Sequence, residues 1–395
     1  MKLDENKLKT FLERGVENIY PNKEFVAKKI KEGEKLTMYL GIDPTGPLHI
    51  GHGISLLKLK QFQDLGHKVI ILIGDFTARI GDPTGKDQAR KPLTSEEVLE
   101  NAKLYKEQIS KILNFNGDNP VEIKFNSEWL SKMTFEEVLG GLSHLTVDQM
   151  LKRDMFQKRQ EEGRPIYLHE FMYPFLQGID SVYMEVDGEI GGNDQTFNML
   201  VGRDLLKILK NKDKFVVAMR LLTDSTGKKM GKTEGNSVSL ADSPDEMYGK
   251  IMSWRDEMIA DALELCTTVS DDDVLKIKKD ISSDNNKKQH KMFLAKKIVE
   301  IYFGERAAIE AENNFENIFS KKNIPEEILT VPRDSYLSNT LIKYGLVDSK
   351  SEFRRLLSDG AIKILGEEEI VLEEDLIPNK EIVLKVGKKR FIKIK

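Results

Sequence analysis

Hydrophobic and polar positions change period early in the chain. Leu36, Met38, Tyr39, Leu40 and Ile42, bounded by Gly33 and by Asp43-Pro44, predict a strand over 35–42. After a Gly/Pro turn, Ile54, Leu56, Leu57, Leu59 and Phe62 recur at helical spacing until Gly66 ends the pattern. Val69-Ile70-Ile71-Leu72-Ile73 then reads as a short, wholly apolar strand. An uninterrupted apolar strand beside a helix suits a parallel sheet covered on both faces. Strand, helix, strand opens an α/β fold of the nucleotide-binding kind, whose ligands sit beyond the carboxyl ends of the strands. Residues following Ile42 and residues following Ile73 are therefore expected to share one crevice.

From Glu96 to about Leu209 helical patterns dominate, interrupted by Val121–Phe125 and by a Gly-rich stretch near Gly191. Phe215–Met219 is a further candidate strand, followed by a polar loop from Thr223 to Asn236. Helices with basic and acidic faces are expected from Asp245 to about Ser320. A linker from Asn323 to Asp334, marked by Pro325 and Pro332, precedes a small unit, helical to about Ser358 and then made of short strands.

Composition narrows the field. At 395 residues the chain calls for two or three domains. A formal net charge of -4 gives no global nucleic-acid signal, so RNA contacts must come from local basic patches. The single cysteine, Cys266, excludes an internal disulfide, suits a reducing compartment and reads as a buried helical thiol. Neither an apolar leader at Met1–Lys7 nor a run of membrane-spanning length is present, so a cytoplasmic location without membrane attachment is expected.

Candidate chemistry concentrates at His49-Ile50-Gly51-His52, between the first strand and the first helix. A helix amino end offers unpaired N–H groups and positive potential to an anion. Two imidazoles there would donate hydrogen bonds to nucleotide phosphates, and Gly51 would let the backbone lie close under an adenine or ribose. Zinc is disfavoured, since no cysteine or acidic residue stands at metal-site spacing. The second motif, Lys228-Lys229-Met230-Gly231-Lys232-Thr233, would alone be a solvated basic loop. Paired with the first, a mobile loop carrying two lysines would close over a triphosphate and stabilise departing pyrophosphate. No Gly-x-x-x-x-Gly-Lys-Ser/Thr pattern surrounds Lys86 or Lys228, which argues against a P-loop. Tyr173, Gln177 and Asp180 share one face of a helix made largely buried by Phe175, Leu176 and Ile179. Three buried polar groups need partners, and a zwitterionic amino acid supplies them.

The two motifs resemble the paired ATP-binding signatures, His-Ile-Gly-His and Lys-Met-Ser-Lys-Ser, of class I aminoacyl-tRNA synthetases. Gly231 and Thr233 depart from the second signature as they often do in tyrosyl-tRNA synthetases. Gly41-Ile42-Asp43-Pro44-Thr45, Gly81-Asp82-Pro83-Thr84-Gly85-Lys86, Tyr173-x-x-x-Gln177-x-x-Asp180 and Gly191-Gly192-Asn193-Asp194-Gln195 extend the similarity over nearly the whole chain. The resemblance implies that Tyr39 and Asp180 hydrogen-bond the phenol of L-tyrosine. It gives Asp82, Tyr173 and Gln177 to the α-ammonium and Gln195 to the carboxylate. Thr45, His49 and His52 would contact ATP phosphates, joined by Lys229 and Lys232 and by a second mobile pair, Lys86 and Arg90. Gly51, Gly192 and Asp194 would lie against the adenosine, with Gly41, Asp43, Met230 and Thr233 in the same ATP site. Mg²⁺ bridging the phosphates is expected.

The implied chemistry is attack of the tyrosine carboxylate on the α-phosphorus of ATP, then transfer to the tRNA 3′ end. No protein nucleophile is required, and catalysis rests on positioning and charge stabilisation. The implied domains are a Rossmann-like catalytic domain with a parallel sheet over 1–225, carrying a helical insertion at about 126–165; a lysine loop and helical domain on the anticodon side over 226–330; and a small α+β RNA-binding domain over 331–395. Lys350, Arg354 and Arg355, near one helical face of that last unit, suit tRNA phosphates, and its tail from Lys385 is basic. The family also implies a homodimer. His67, His144, His169 and His290 read as structural or solvated, and Trp129 and Trp254 as core.

Gly46-Pro47 makes the loop before His49 one residue shorter than tyrosyl enzymes usually have, and nearer to tryptophanyl-tRNA synthetases, the alternative reading. Glu189 stands where many tyrosyl enzymes carry glutamine. A nucleotidyltransferase lacking tRNA chemistry and an inactive RNA-binding paralogue are less favoured, because both motifs are complete and an RNA-binding appendage is present.

Overall fold

The computed structural model describes residues 3–84, 94–223, 237–283, 286–319, 328–332, 336–365, 370–371, 382–387 and 390–395. The chain divides into two compact units, Met1–Glu312 and Asn313–Lys395.

The larger unit is built on a six-stranded sheet: β1 (Val16–Tyr20), β2 (Thr37–Ile42), β3 (Lys68–Ile73), β4 (Glu122–Phe125), β5 (Gly188–Gly192) and β6 (Phe215–Met219), in the order β1-β6-β5-β2-β3-β4. Every neighbouring pair is parallel except β1 with β6. All five residues of β6 and five of the six in β3 are buried, as strands covered on both faces must be. Strand order reverses between β2 and β5, and such a switch point opens a crevice at the carboxyl ends of the strands. The Ile50–Asp64 helix follows β2, and the long Leu168–Met184 and Thr196–Lys210 helices, packed on each other, lead into and out of β5. Tyr39, Leu72, Phe175, Ile179 and Leu205 share the core between sheet and helices.

Two strands were not legible in the pattern. β5 lies in the stretch read as a Gly-rich interruption of helices. Its glycines answer to packing: a Cβ on Gly188 would sit 2.3 Å from the Phe215 ring. β1 pairs in the antiparallel sense at the sheet edge, with an irregular register between Val16 and Asn18. Between β4 and the Leu168–Met184 helix lie the short helices Ser127–Leu130, Phe135–Leu142, Val147–Leu151 and Asp154–Glu161. After β6 come Pro244–Met252, Ile259–Cys266, Asp271–Ser282 and Lys287–Phe303. Cys266 is buried, and burial pushes its thiol up to about 12, which keeps it unreactive.

In the smaller unit the helices Leu337–Lys343 and Lys350–Ser358 pack on a sheet of β7 (Thr330–Val331), β8 (Ile362–Leu365), β9 (Ile370–Val371), β10 (Ile382–Val386) and β11 (Arg390–Ile394), ordered β7-β11-β10-β8-β9. No described helix is long and apolar enough to cross a membrane.

Candidate active site

A cleft of about 520 Å³ opens at the carboxyl ends of β2, β3 and β5. Tyr39, Asp43, His49, His52, Tyr173 and Asp180 all line it, as do Gly41, Thr45, Gly51, Asp82, Gln177, Gly192, Asp194 and Gln195. The crevice expected after Ile42 and Ile73 is present. Gly74 N–H donates to the Ile42 carbonyl at 2.9 Å, and Thr77 Oγ1 donates to Asp43 Oδ1 at 2.7 Å.

The loop before the first motif is clamped from one side: Asn101 Nδ2 donates to the Pro44 carbonyl, Tyr105 Oη to that of Gly46, and Leu48 N–H to Gln108 Oε1. His49 is the N-cap of the Ile50–Asp64 helix, its Nδ1 accepting from Gly51 N–H at 3.1 Å. His52 Nδ1 accepts in turn from His49 N–H at 3.1 Å, and the two rings lie 4.0 Å apart. Because each Nδ1 is an acceptor, each neutral ring carries its hydrogen on Nε2. The backbone N–H groups of Ile50, Gly51, His52 and Gly53 are held by Val238 and His49, so the chemistry this helix end brings to an anion is that of the two imidazole N–H groups and the helix's positive end.

The second motif lies outside the described residues: Lys229, Met230, Lys232 and Thr233 fall in 224–236. Both of its flanks meet the cleft. Leu221 and Leu222 line it, and on the other side Ile50 N–H donates to the Val238 carbonyl while Leu240 N–H donates to that of Leu48. Lys86 and Arg90 also lie outside the described residues. The segment before them is anchored by Arg153, whose Nη2 donates to Thr84 Oγ1 at 2.7 Å. Burial pushes the Arg153 guanidinium down to about 10, which still leaves it charged near neutrality.

The end of the cleft around Asp82, Tyr173 and Asp180 is a hydrogen-bonded lattice. Asp82 accepts from Thr84 Oγ1 at 2.7 Å and from Gln195 Nε2 at 2.8 Å. Tyr173 Oη donates to Asp43 Oδ2 at 2.9 Å, and burial beside Asp43 and Asp82 holds that phenol well above its ordinary value, so it stays a donor. Asp43 therefore braces the cleft wall. Asp180, only 3 % exposed, accepts from Trp129 Nε1 at 2.8 Å and Asn126 Nδ2 at 3.2 Å. Burial raises its carboxyl well above the usual range. Tyr39 is fully buried with its hydroxyl 3.0 Å from Ser181 Oγ. Trp129, read from sequence as plain core, thus has a polar task too. A tryptophan N–H aimed at a residue 51 positions away leaves no mark in local sequence pattern. Asn126, Arg153, Ser181 and Lys214 were missed for the same reason.

Lys350, Arg354 and Arg355 are exposed on the Lys350–Ser358 helix of the smaller unit, whose Phe353 is buried. Ser349 caps that helix, accepting from Glu352 N–H. Among the other histidines, His67 is buried with Nδ1 accepting from Leu36 N–H, and His290 lies 3.5 Å from Asp280.

A mainly parallel sheet with its cleft at the strand switch, and paired imidazoles at a helix N-terminus there, define a nucleotide-binding α/β architecture. Residues 31–320 match the family model described as tRNA synthetases class I (W and Y), and the chain belongs to that family. Within it the chain aligns end to end with tyrosine–tRNA ligases. The one from Carboxydothermus hydrogenoformans is 45 % identical across 100 % of this chain and 99 % of its own length. The one from Moorella thermoacetica is 42 % identical across 97 % of this chain and 94 % of its own. A C-terminally truncated mitochondrial tyrosyl-tRNA synthetase from Coccidioides posadasii superposes with a TM-score of 0.65 at 26 % identity, over 78 % of this chain and 91 % of that one.

Proposed function

We propose that this protein is a tyrosine–tRNA ligase that condenses L-tyrosine with ATP to tyrosyl-adenylate and pyrophosphate, then transfers tyrosine to the 3′ end of its tRNA. The observation that carries this reading is one cleft holding both a phosphate-suited helix terminus and a buried carboxylate, Asp180, fixed by two N–H donors. A phenol O–H adds a third donor to Asp180; a phenyl ring would leave the acceptor capacity that faces the cleft unmet in a buried carboxylate, which is unfavourable.

In this assignment Asp180 and Tyr39 face the phenolic hydroxyl, Asp82, Tyr173 and Gln177 the ammonium, and Gln195 the carboxylate. Thr45, His49 and His52 stabilise charge on the phosphates, with Lys86, Arg90, Lys229 and Lys232 as further cations. Gly41, Asp43, Gly51, Gly192, Asp194, Met230 and Thr233 complete the ATP site. The substrate carboxylate is already ionised, so the protein orients rather than attacks. Mg²⁺ is taken as arriving with the phosphates of ATP. Among the described residues no three His, Cys, Asp or Glu side chains are grouped to hold an ion.

We assign residues 1–225 to catalysis, 226–330 to the lysine loop and the anticodon side of tRNA, and 331–395 to RNA binding through Lys350, Arg354 and Arg355. A homodimer in the cytoplasm completes the proposal. Pyrophosphate exchange with each of the twenty amino acids is the test: tyrosine alone should drive it. Exchange driven by tryptophan and not tyrosine would replace this reading with the tryptophanyl one.

A further inference from the structure

Behind the wall of the cleft, and outside its lining, lies a lysine with none of its surface exposed. Lys214 immediately precedes β6, and its Nζ donates to Ser181 Oγ at 2.8 Å and to Glu189 Oε2 on β5. Glu189 is itself 1 % exposed, and its other oxygen accepts from Gln177 Nε2 at 2.9 Å. The same ammonium stands 5.9 Å from the centre of the Tyr39 ring. Space for the pair is reserved by Gly202, where a Cβ would lie 2.8 Å from Lys214 Nζ and 2.9 Å from Ser181 Oγ. Burying a Lys–Glu pair rarely adds stability over apolar packing of the same volume, so its presence points to orientation of neighbours.

The orientation follows from the hydrogen-bonding inventory. An ammonium only donates and a carboxylate only accepts. Glu189 therefore draws the NH₂ of the Gln177 amide to itself, and the amide oxygen is turned off Glu189 as an acceptor in the cleft wall. Lys214 occupies one lone pair of Ser181 Oγ, and the Ser181 hydrogen lies toward Glu189 Oε2 at 3.4 Å. Ser181 Oγ also stands 3.0 Å from the Tyr39 hydroxyl, with either group able to donate, so the contact that holds Ser181 also holds Tyr39. The Gln177 amide oxygen thus ends as an acceptor, the polarity that a substrate ammonium requires.

We propose that Lys214, acting through Glu189 and Ser181, is a positioning residue that fixes the hydrogen-bond polarity of Gln177 and holds Tyr39 in place for the amino-acid substrate. The proposal rests on the tyrosine-activating reading above. It separates the two substrates of the first step: the ion pair orders groups facing the amino acid and none facing the nucleotide.

The test uses the full-length chain and two variants, Lys214→Met and the charge-free double variant Lys214→Met/Glu189→Gln. The single variant leaves Glu189 buried without its cation and is expected to lose thermal stability. In the double variant no charge is stranded, the Gln177 amide is no longer held one way round, and folding is retained. Pyrophosphate exchange on the double variant should show KM for tyrosine raised about ten- to a hundredfold, with KM for ATP within about twofold of wild type. A folded double variant with unchanged KM for tyrosine overturns the positioning role. So does an equal rise in both KM values, the signature of a general structural defect. Wild-type protein that shows no tyrosine-dependent exchange overturns the tyrosine reading itself, and this proposal with it.

Discussion

Asp180 shows how a side chain costly to the fold can be held, buried and hydrogen-bonded, in the wall of the cleft. Its carboxyl is raised well above its ordinary value of 3.8, with burial the largest cause, opposed by the Trp129 and Asn126 donors. Raised in the native state, it holds a proton there at pH values where the unfolded chain has lost it. Its contribution to stability therefore falls as pH rises from about 3.8 upward. Asp180→Asn keeps the shape and removes the charge. Because its amide NH₂ then faces one of the two N–H donors, Trp129 or Asn126, the variant gains no more than part of the lost desolvation cost, and its kcat/KM for tyrosine in exchange should fall at least about tenfold. Wild-type kinetics in the Asp180→Asn variant would remove Asp180 from the amino-acid site. At this scale sequence was a good guide to identity and a poor one to partnership. The spacing of Tyr173, Gln177 and Asp180 put them on one face, but nothing local pointed to Trp129 as a donor to the third.

The Ile50–Asp64 helix ties the cleft to the rest of its unit through two tight contacts. A Cβ at Gly53 would fall 2.2 Å from Tyr302 Oη, whereas the next atom of that side chain, Cζ, is 3.5 Å away. The Tyr302 hydroxyl is buried and has no hydrogen-bond partner among the described residues. Gly53→Ala alone should therefore destabilise by about 1–3 kcal/mol, and adding Tyr302→Phe should recover most of it; thermal melts of the single and double variants decide. No recovery would mean the backbone, not the hydroxyl, sets the limit. On the same helix, Lys58 Nζ donates to the carbonyls of Thr10 and Phe11, at the end of the Glu5–Glu13 helix. Burial, with Arg14 nearby, brings this ammonium from 10.5 down to about 7. Between those values the unfolded chain holds a proton that the native chain has released, so this group adds stability as pH rises through the window and adds no slope below about 7. Urea unfolding of wild type and Lys58→Met across that range should show the wild type gaining on the variant. Parallel curves would show that the ammonium keeps its ordinary value.

At the scale of the molecule, the larger unit leaves large apolar side chains in water. Phe135 is 76 % exposed and Leu139, one turn on, is also exposed, while Leu168 at the start of the next long helix is 82 % exposed. Apolar surface of this kind is what a twofold association covers. Sedimentation should find a dimer, and Leu168→Asp should shift it to monomer. A wild-type monomer at micromolar concentration would refute the assignment. The apolar runs of β2, β3 and β6 and the helix after His49 could be read in sequence, because period and turn chemistry are local properties. β5 could not, since its glycines look like a loop until Phe215 and Met199 pack against them. Residue order alone thus determined the apolar strands and helices that local period marks and the polar residues available at their ends. Tertiary structure alone decided that Asp180 is held by Trp129, that Lys214 faces Glu189, and that the segment after the lysine motif pairs beside His49, because each is a contact between residues remote in sequence whose partners only packing selects.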